Sequence, residues 1–389
     1  MNTATTKTLG LCLEPLDVLF FRDGRPFGAA TRASSGQPLP QTLAGAVGTA
    51  LLQKYGCDFA ALAAALQQRR GPGGAAELEQ AVARAGGPPW VARLRVRGPW
   101  LARTLEGNGL DVLVPAPAIL HRVKGGRGSA DQRVYRLAPA SADLPGWRES
   151  CLPDQQGLRP LWLRHAEPTE AAGGYLAGAG LRCFLAGSAD LAAEHLVRPD
   201  DLFGFDHRTG IEINADRLTA KEGSIYGASF LALRPAVRLY AEVELPDDAP
   251  AGAEAFAHIP TLAFGGEGKR VAVVAKVPPV FAGLDRTPSA PGEKPLLLLT
   301  TPGLFRDGWR PGCLRDRLAA AAVPGAVAVS GWDLARNGPK PTRFAAAAGS
   351  VYFLKDPLDA WPPSLCDDPG DGRQGWGCYV KGVWIDEAK

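Results

Sequence analysis

Apolar positions near the start of the chain fall first into a strand-like block and then into a helical one. Residues 9–21 form a mostly apolar run broken at Pro15. It ends at Arg22-Asp23-Gly24-Arg25-Pro26, which reads as a β-strand entering a tight turn. Thr42 can cap the run from Leu43 to Leu52, whose small residues suit a helix lying close to a sheet, with Gly56 just past its end. Two Ala-rich helical stretches follow at 58–70 and 75–85, split by Gly71-Pro72-Gly73-Gly74, and read as an insertion after a first βα unit. From Val91 onward short β-like runs take over at 93–96, 110–114 and 133–137. A short helix is expected at 189–197, and the boundary between two halves, 1–190 and 191–389, is placed there. The second half offers strands at 211–213, 229–233, 237–245, 271–277, 296–300 and 350–354, with one helix at 314–322. Short strands outnumber helices, so an α+β fold is favoured over a doubly wound α/β one.

Composition narrows the class without naming a partner. With 389 residues, 46% hydrophobic and 21% charged, the chain has the balance of an ordinary globular protein of about two domains. The first residues carry only Lys7 as a basic group and no unbroken apolar run, and no apolar stretch approaches the roughly 18 residues of a membrane span. The expectation is therefore a cytoplasmic protein with no membrane association. Seven cysteines without a C-x-x-C pair and five histidines without ligand spacing predict neither a disulfide framework nor a metal site, and no cofactor motif is present. Net charge is only +3, but between Trp90 and Arg136 nine Arg or Lys face three acids, a local excess of +6. Such a stretch suits contact with a polyanion, or else forms a solvated surface with no ligand.

Several segments carry candidate binding chemistry. Arg22 and Arg25 on one turn can hold phosphates through forked hydrogen bonds while Asp23 orients one of them, or Asp23 and Arg25 pair only to stabilise the turn. In Phe264-Gly265-Gly266-Glu267-Gly268-Lys269-Arg270 three glycines allow close backbone approach beside two cations, although a plain hairpin between Leu262 and Val271 has the same composition. The spacing is not that of a Walker A loop. Arg122, Lys124 and Arg127 lie in a basic, aromatic-poor loop suited to backbone contacts. Asp206-His207-Arg208 offers an acid, an imidazole and a guanidinium, but acid–base chemistry needs a nucleophile or metal that the sequence does not identify. Binding is therefore favoured over catalysis, with no catalytic residues assigned.

Six blocks give a specific resemblance: residues 16–27, 40–48 with Leu43-Ala44-Gly45, Arg208–Ile211 followed by 221–226, 265–269, Gly331-Trp332-Asp333, and 348–352. In this order, over nearly the whole chain, they resemble the family that supplies the third subunit of type III-B (Cmr) CRISPR effectors, within the RAMP superfamily. The resemblance implies two ferredoxin-like (RRM-like) domains with long glycine-rich loops and an inserted helical segment near 58–85. It also implies no nuclease activity, a grip on the crRNA 5′ tag, and contacts with the large polymerase-cyclase-like subunit and with backbone RAMP subunits. The residues expected at RNA are Arg22, Asp23, Arg25, Arg122, Lys124, Arg127, His207, Arg208, Gly265, Gly266, Gly268, Lys269 and Arg270. Two rivals are a RAMP ribonuclease using His207 or His121, and a scaffold that touches only protein.

Overall fold

Leu11 and Leu13 point to one face of the first strand and Cys12 to the other, and all three are buried, so β1 (Lys7–Pro15) runs through the middle of a sheet covered on both sides. The computed structural model describes residues 7–21, 32–67, 74–124, 133–140, 144, 147–148, 155–188, 190–214, 216–333 and 338–386. Helix α1 (Pro40–Lys54) begins with Pro40, whose fixed φ and missing N–H suit a first turn. The residue at its N-cap is Leu39, which offers no side-chain cap, and Thr42 lies inside the helix instead of capping it. Leu43, Val47 and Leu51, spaced by one turn, are buried. The insertion is a pair of helices, α2 (Phe59–Gln67) and α3 (Ala75–Arg84). Asp58 caps α2 through Ala60 N at 2.9 Å, and its own N–H donates to Ala85 O at 2.8 Å, which closes the hairpin at its base. A later helix, α4 (Gly178–Leu185), packs against the C-terminal half.

The strands needed below are β2 (Arg95–Thr104), β3 (Leu110–Pro115), β4 (Tyr175–Leu176), β5 (Leu196–Val197), β6 (Phe203–Ile213) and β7 (Ala220–Leu233). They are followed by β8 (Val237–Leu245), β9 (Thr261–Ala263), β10 (Arg270–Val277), β11 (Glu293–Leu299), β12 (Leu318–Ala322), β13 (Val351–Leu354) and β14 (Tyr379–Ile385). A first antiparallel sheet has the order β5-β4-β3-β2-β8-β1-β10-β9, and a second has the order β12-β13-β11-β14. Strands from both sides of residue 190 pair in the first sheet: β1 lies between β8 and β10, with Leu11 opposite Ala241 and Leu13 opposite Leu239. A long hairpin of β6 and β7 stands as a separate sheet, bordered in parallel by residues 32–34. The architecture is mixed, mostly antiparallel and poor in helix, in keeping with the α+β expectation.

Two expected helices are replaced. Over the stretch from 190 the chain forms a strand, Asp190–Ala192, then a 3₁₀ turn at Ala193–His195, then β5, because Leu191 is buried and its strand pairs with Arg133–Arg136. At 314–322 a 3₁₀ turn ends at Leu314, and the Ala-rich run becomes β12, with Ala320 and Ala321 opposite Phe353 and Tyr352. Here strand pairing overrides the helix propensity of alanine.

One core lies under α1 and the first sheet, built from Leu11, Leu43, Val47, Leu239, Val243 and Val271. Another joins the two sheets: Trp100, Val112 and Tyr240 pack with Leu296, Val351, Phe353 and Trp384. Trp100 also donates to Thr300 O at 3.2 Å, so the two halves meet along a continuous packed surface. Among the described residues no helix is long and apolar enough to cross a membrane.

Candidate nucleic-acid interface

Residues 16–21 continue from β1 across two neighbours. Leu16 N donates to Arg270 O, and Leu19 exchanges backbone hydrogen bonds with Leu231, each 2.8 Å. This places Phe20 against Phe230 of β7, ring centroids 5.0 Å apart. The glycine-rich loop between β9 and β10 folds onto the same segment. Phe264 N reaches Lys269 O at 2.9 Å to close the hairpin, and Gly266 N reaches Phe20 O at 2.8 Å. Gly265 has φ +94°, and a Cβ there would lie 2.6 Å from Phe20 O. Within the molecule, then, the close approach that Gly265 permits is to the chain's own backbone.

Three segments far apart in sequence meet at this point. Lys269 Nζ donates to Asp17 Oδ2 at 2.6 Å. Arg208 pairs with Asp206 at 2.8 Å and approaches Asp17 at 3.9 Å. Both cations lie over the face of Phe230, Arg208 at 5.0 Å and Lys269 at 5.3 Å. Hydrogen bonding from Lys269 holds the Asp17 carboxyl below its ordinary pKa, so it stays ionised at neutral pH. His207 Nδ1 lies 2.9 Å from Ser229 Oγ on the paired strand. Ser229 is only 2% exposed, so this hydroxyl orients the imidazole but is closed to a substrate. Arg270 turns to Thr261 Oγ1, with contacts of 3.1 and 2.6 Å.

The remaining candidates divide into two groups. Arg22, Asp23, Arg25 and Arg127 lie outside the described residues. Arg122 belongs to the strand Leu120–Val123 in a different sheet, where it pairs with Glu170 at 3.1 Å, and exposed Lys124 follows it. The basic stretch from Trp90 to Arg136 is largely neutralised. Arg93 pairs with Glu79 and Asp248, Arg95 with Glu244, Arg97 with Glu242, and Arg103 with Asp111. Arg136, half-buried, donates to the carbonyls of Phe184 and Val383, and desolvation pushes its pKa down to about 10. Among the described residues, most cations of this stretch are thus held by acids or carbonyls.

Beside the cluster lies a cleft of about 1130 Å³ between the two halves. Its walls include Phe20 and Gly265–Gly266, the start of α1 from Pro40 to Gly45, Thr300–Pro302, and Gly331 and Ala348 of the second half. Gln41 Nε2 spans the halves to Ser330 O at 2.9 Å. Sequence reading missed this cleft and also missed Asp17, Ser229 and Phe230 as site residues. The advance signal is that blocks 16–27, 40–48, 265–269, 331–333 and 348–352 carry separate motifs, and described residues of each contribute to the cleft walls or the adjoining cluster. Among the described residues no group of three His, Cys, Asp or Glu is placed to hold a metal.

A family model described as CRISPR-associated protein (Cas_Cmr3) matches residues 11–363. Among solved structures, the chain is similar to one in the Type III-B Cmr-beta complex bound to cognate target RNA and AMPPnP, state 1. Identity is 16% over 88% of this chain and 86% of that chain, with a TM-score of 0.46. The Cmr-beta complex bound to cognate target RNA gives 17% identity over the same shares and 0.45. The Csm3-Csm4 subcomplex of the type III-A CRISPR-Cas interference complex gives 11% over 90% of this chain and 95% of that chain, with 0.39. No curated protein matches the chain.

Proposed function

The chain belongs to the Cmr3 family of CRISPR-associated proteins, and from that premise we propose that it is the non-catalytic subunit of a type III-B effector that caps the crRNA and holds its 5′ tag. The observation that carries this reading is the convergence of Arg208, Lys269 and the glycine-rich loop over an aromatic pair at the rim of a long cleft. The rings of Phe20 and Phe230 are buried and seat the two cations, and cations beside the exposed glycine-rich backbone suit the phosphates of a single-stranded nucleic acid. The large polymerase-cyclase-like subunit and the backbone RAMP subunits are its partners on this reading.

The scaffold proposed for this role is a pair of ferredoxin-like units. In the first, β1, α1, β2, β8 and β10 give the order second-third-first-fourth for the four strands, and β11, β12, β13 and β14 repeat that order in the second. The division between units then falls after β10, and residues 105–236 form a long excursion between the second and third strands of the first unit.

Binding of a labelled single-stranded RNA octamer of mixed sequence, measured across a salt series, tests the reading. Arg208→Ala and Lys269→Ala should each weaken binding and lower the log–log salt slope by about 0.7, the release of one counterion from a single strand. Unchanged slopes would move RNA elsewhere on the protein. The ribonuclease rival is read in the same samples: defined cleavage lost in His207→Ala would overturn the non-catalytic assignment.

A further inference from the structure

The cleft wall is apolar or neutral except at one point. Among the described residues that line it, Lys340 alone is charged, beside groups such as Phe20, Trp100 and Phe203. No described carboxylate pairs with Lys340, and its side chain is exposed. Other cations near the cleft have local acids: Lys269 holds Asp17, and Arg208 holds Asp206. The backbone around Lys340 is fastened in place. Lys340 N donates to Gly331 O at 2.8 Å, and the preceding Ser330 carbonyl accepts from Gln41 across the cleft at 2.9 Å. The aliphatic stem runs past Gly331, where a Cβ would lie 3.9 Å from Lys340 Cδ, so the side chain borders the cavity.

We propose that Lys340 is an RNA-contact residue that meets a backbone phosphate of the strand lying in the cleft. The inference rests on the RNA reading of the cleft and adds a second anchoring point, at Lys340, to the cluster of Asp17, Arg208 and Lys269. An unpaired ammonium in an otherwise neutral, apolar trough calls for a ligand with a localised negative charge on a largely planar, apolar body. A nucleotide segment supplies both. Because the Lys340 side chain is exposed, its attraction for a phosphate is screened by salt and is read in the salt dependence of binding. The glycine-rich rim and Lys340 then contact the same strand at two points of the cleft lining.

The test uses the full chain and the mixed-sequence RNA octamer, with wild type, Lys269→Ala, Lys340→Ala and Lys340→Arg compared in a salt series. Lys340→Ala should weaken binding roughly tenfold and reduce the salt slope by about 0.7. Lys340→Arg should restore both, and melting temperatures should match because the side chain is exposed. If Lys269→Ala loses affinity while Lys340→Ala binds as wild type, the cleft reading stands and the role of Lys340 is overturned. If Lys340→Ala keeps RNA but loses co-purification with a neighbouring subunit, the cation serves a protein surface and the proposal fails. If the wild type does not bind the octamer, the cleft reading fails and Lys340 falls with it.

Discussion

Replacing Gly265 with alanine probes the fold of the site at one atom. Its φ of +94° lies in the region that favours glycine, and a side chain there costs about 1–2 kcal/mol in backbone strain. The new Cβ would also sit 2.6 Å from Phe20 O, a backbone atom that no rotamer change can move. Relief requires the loop to lift, which breaks the Gly266 N to Phe20 O hydrogen bond, a further loss of about 1 kcal/mol. Gly265→Ala should therefore destabilise by about 2–3 kcal/mol. Gly268 also has positive φ, +66°, but open space around its Cβ position, so alanine there costs strain alone, about 1–2 kcal/mol. At Gly266 no positive φ strains the backbone and the nearest atom is the ring carbon Phe20 Cδ1 at 3.3 Å, so alanine asks for a shift of a few tenths of an ångström in that ring and should cost less than at Gly265. Urea unfolding of the three variants in parallel reads the order of midpoints, with Gly265→Ala lowest and Gly266→Ala nearest wild type. Equal midpoints for Gly265→Ala and Gly266→Ala would refute the claim that the loop is held by contact with the Phe20 backbone.

Two further outcomes follow from neighbouring charges. Asp17→Asn should tighten octamer binding and steepen its salt slope, because it frees Lys269 and Arg208 for phosphate; weaker binding would mean that the acid is needed to aim them. The Asp17 pKa is depressed in the folded state, so its stabilising contribution is present above the unfolded pKa of about 4 and is lost as pH falls through the folded value. The acid limb of a stability–pH curve should accordingly flatten in the Asn variant. Glu242 is fully buried, accepting from Arg97 at 2.9 Å, Tyr240 Oη at 3.1 Å and Phe281 N at 3.0 Å. Glu242→Leu leaves the Arg97 charge unpaired and should cost about 3–5 kcal/mol, whereas a thermal midpoint like that of wild type would show water reaching Arg97 instead.

Sequence alone was sufficient wherever the governing physics is local. A mostly apolar run announced β1, and a run of small and apolar residues from Leu43 to Leu52 announced α1. Three glycines between two apolar runs announced the hairpin of β9 and β10. The Ala-rich run 318–322 was not legible, since alanine carries a helical preference and its strand state depends on the β13 edge it pairs with. The basic stretch misled for a related reason. Glu79, Glu170, Glu242, Glu244 and Asp248, which neutralise much of it, lie outside the window in which the charges were summed, and a surface potential is set by neighbours in space. The interface is the furthest from sequence: Asp17 and Lys269 are separated by 252 positions, and only the insertion of β1 between β8 and β10 brings them into contact. The residue types of the site were therefore readable, but their convergence and the cleft beside them arise from long-range strand pairing and from the core shared by the two sheets, which no local window of the chain contains.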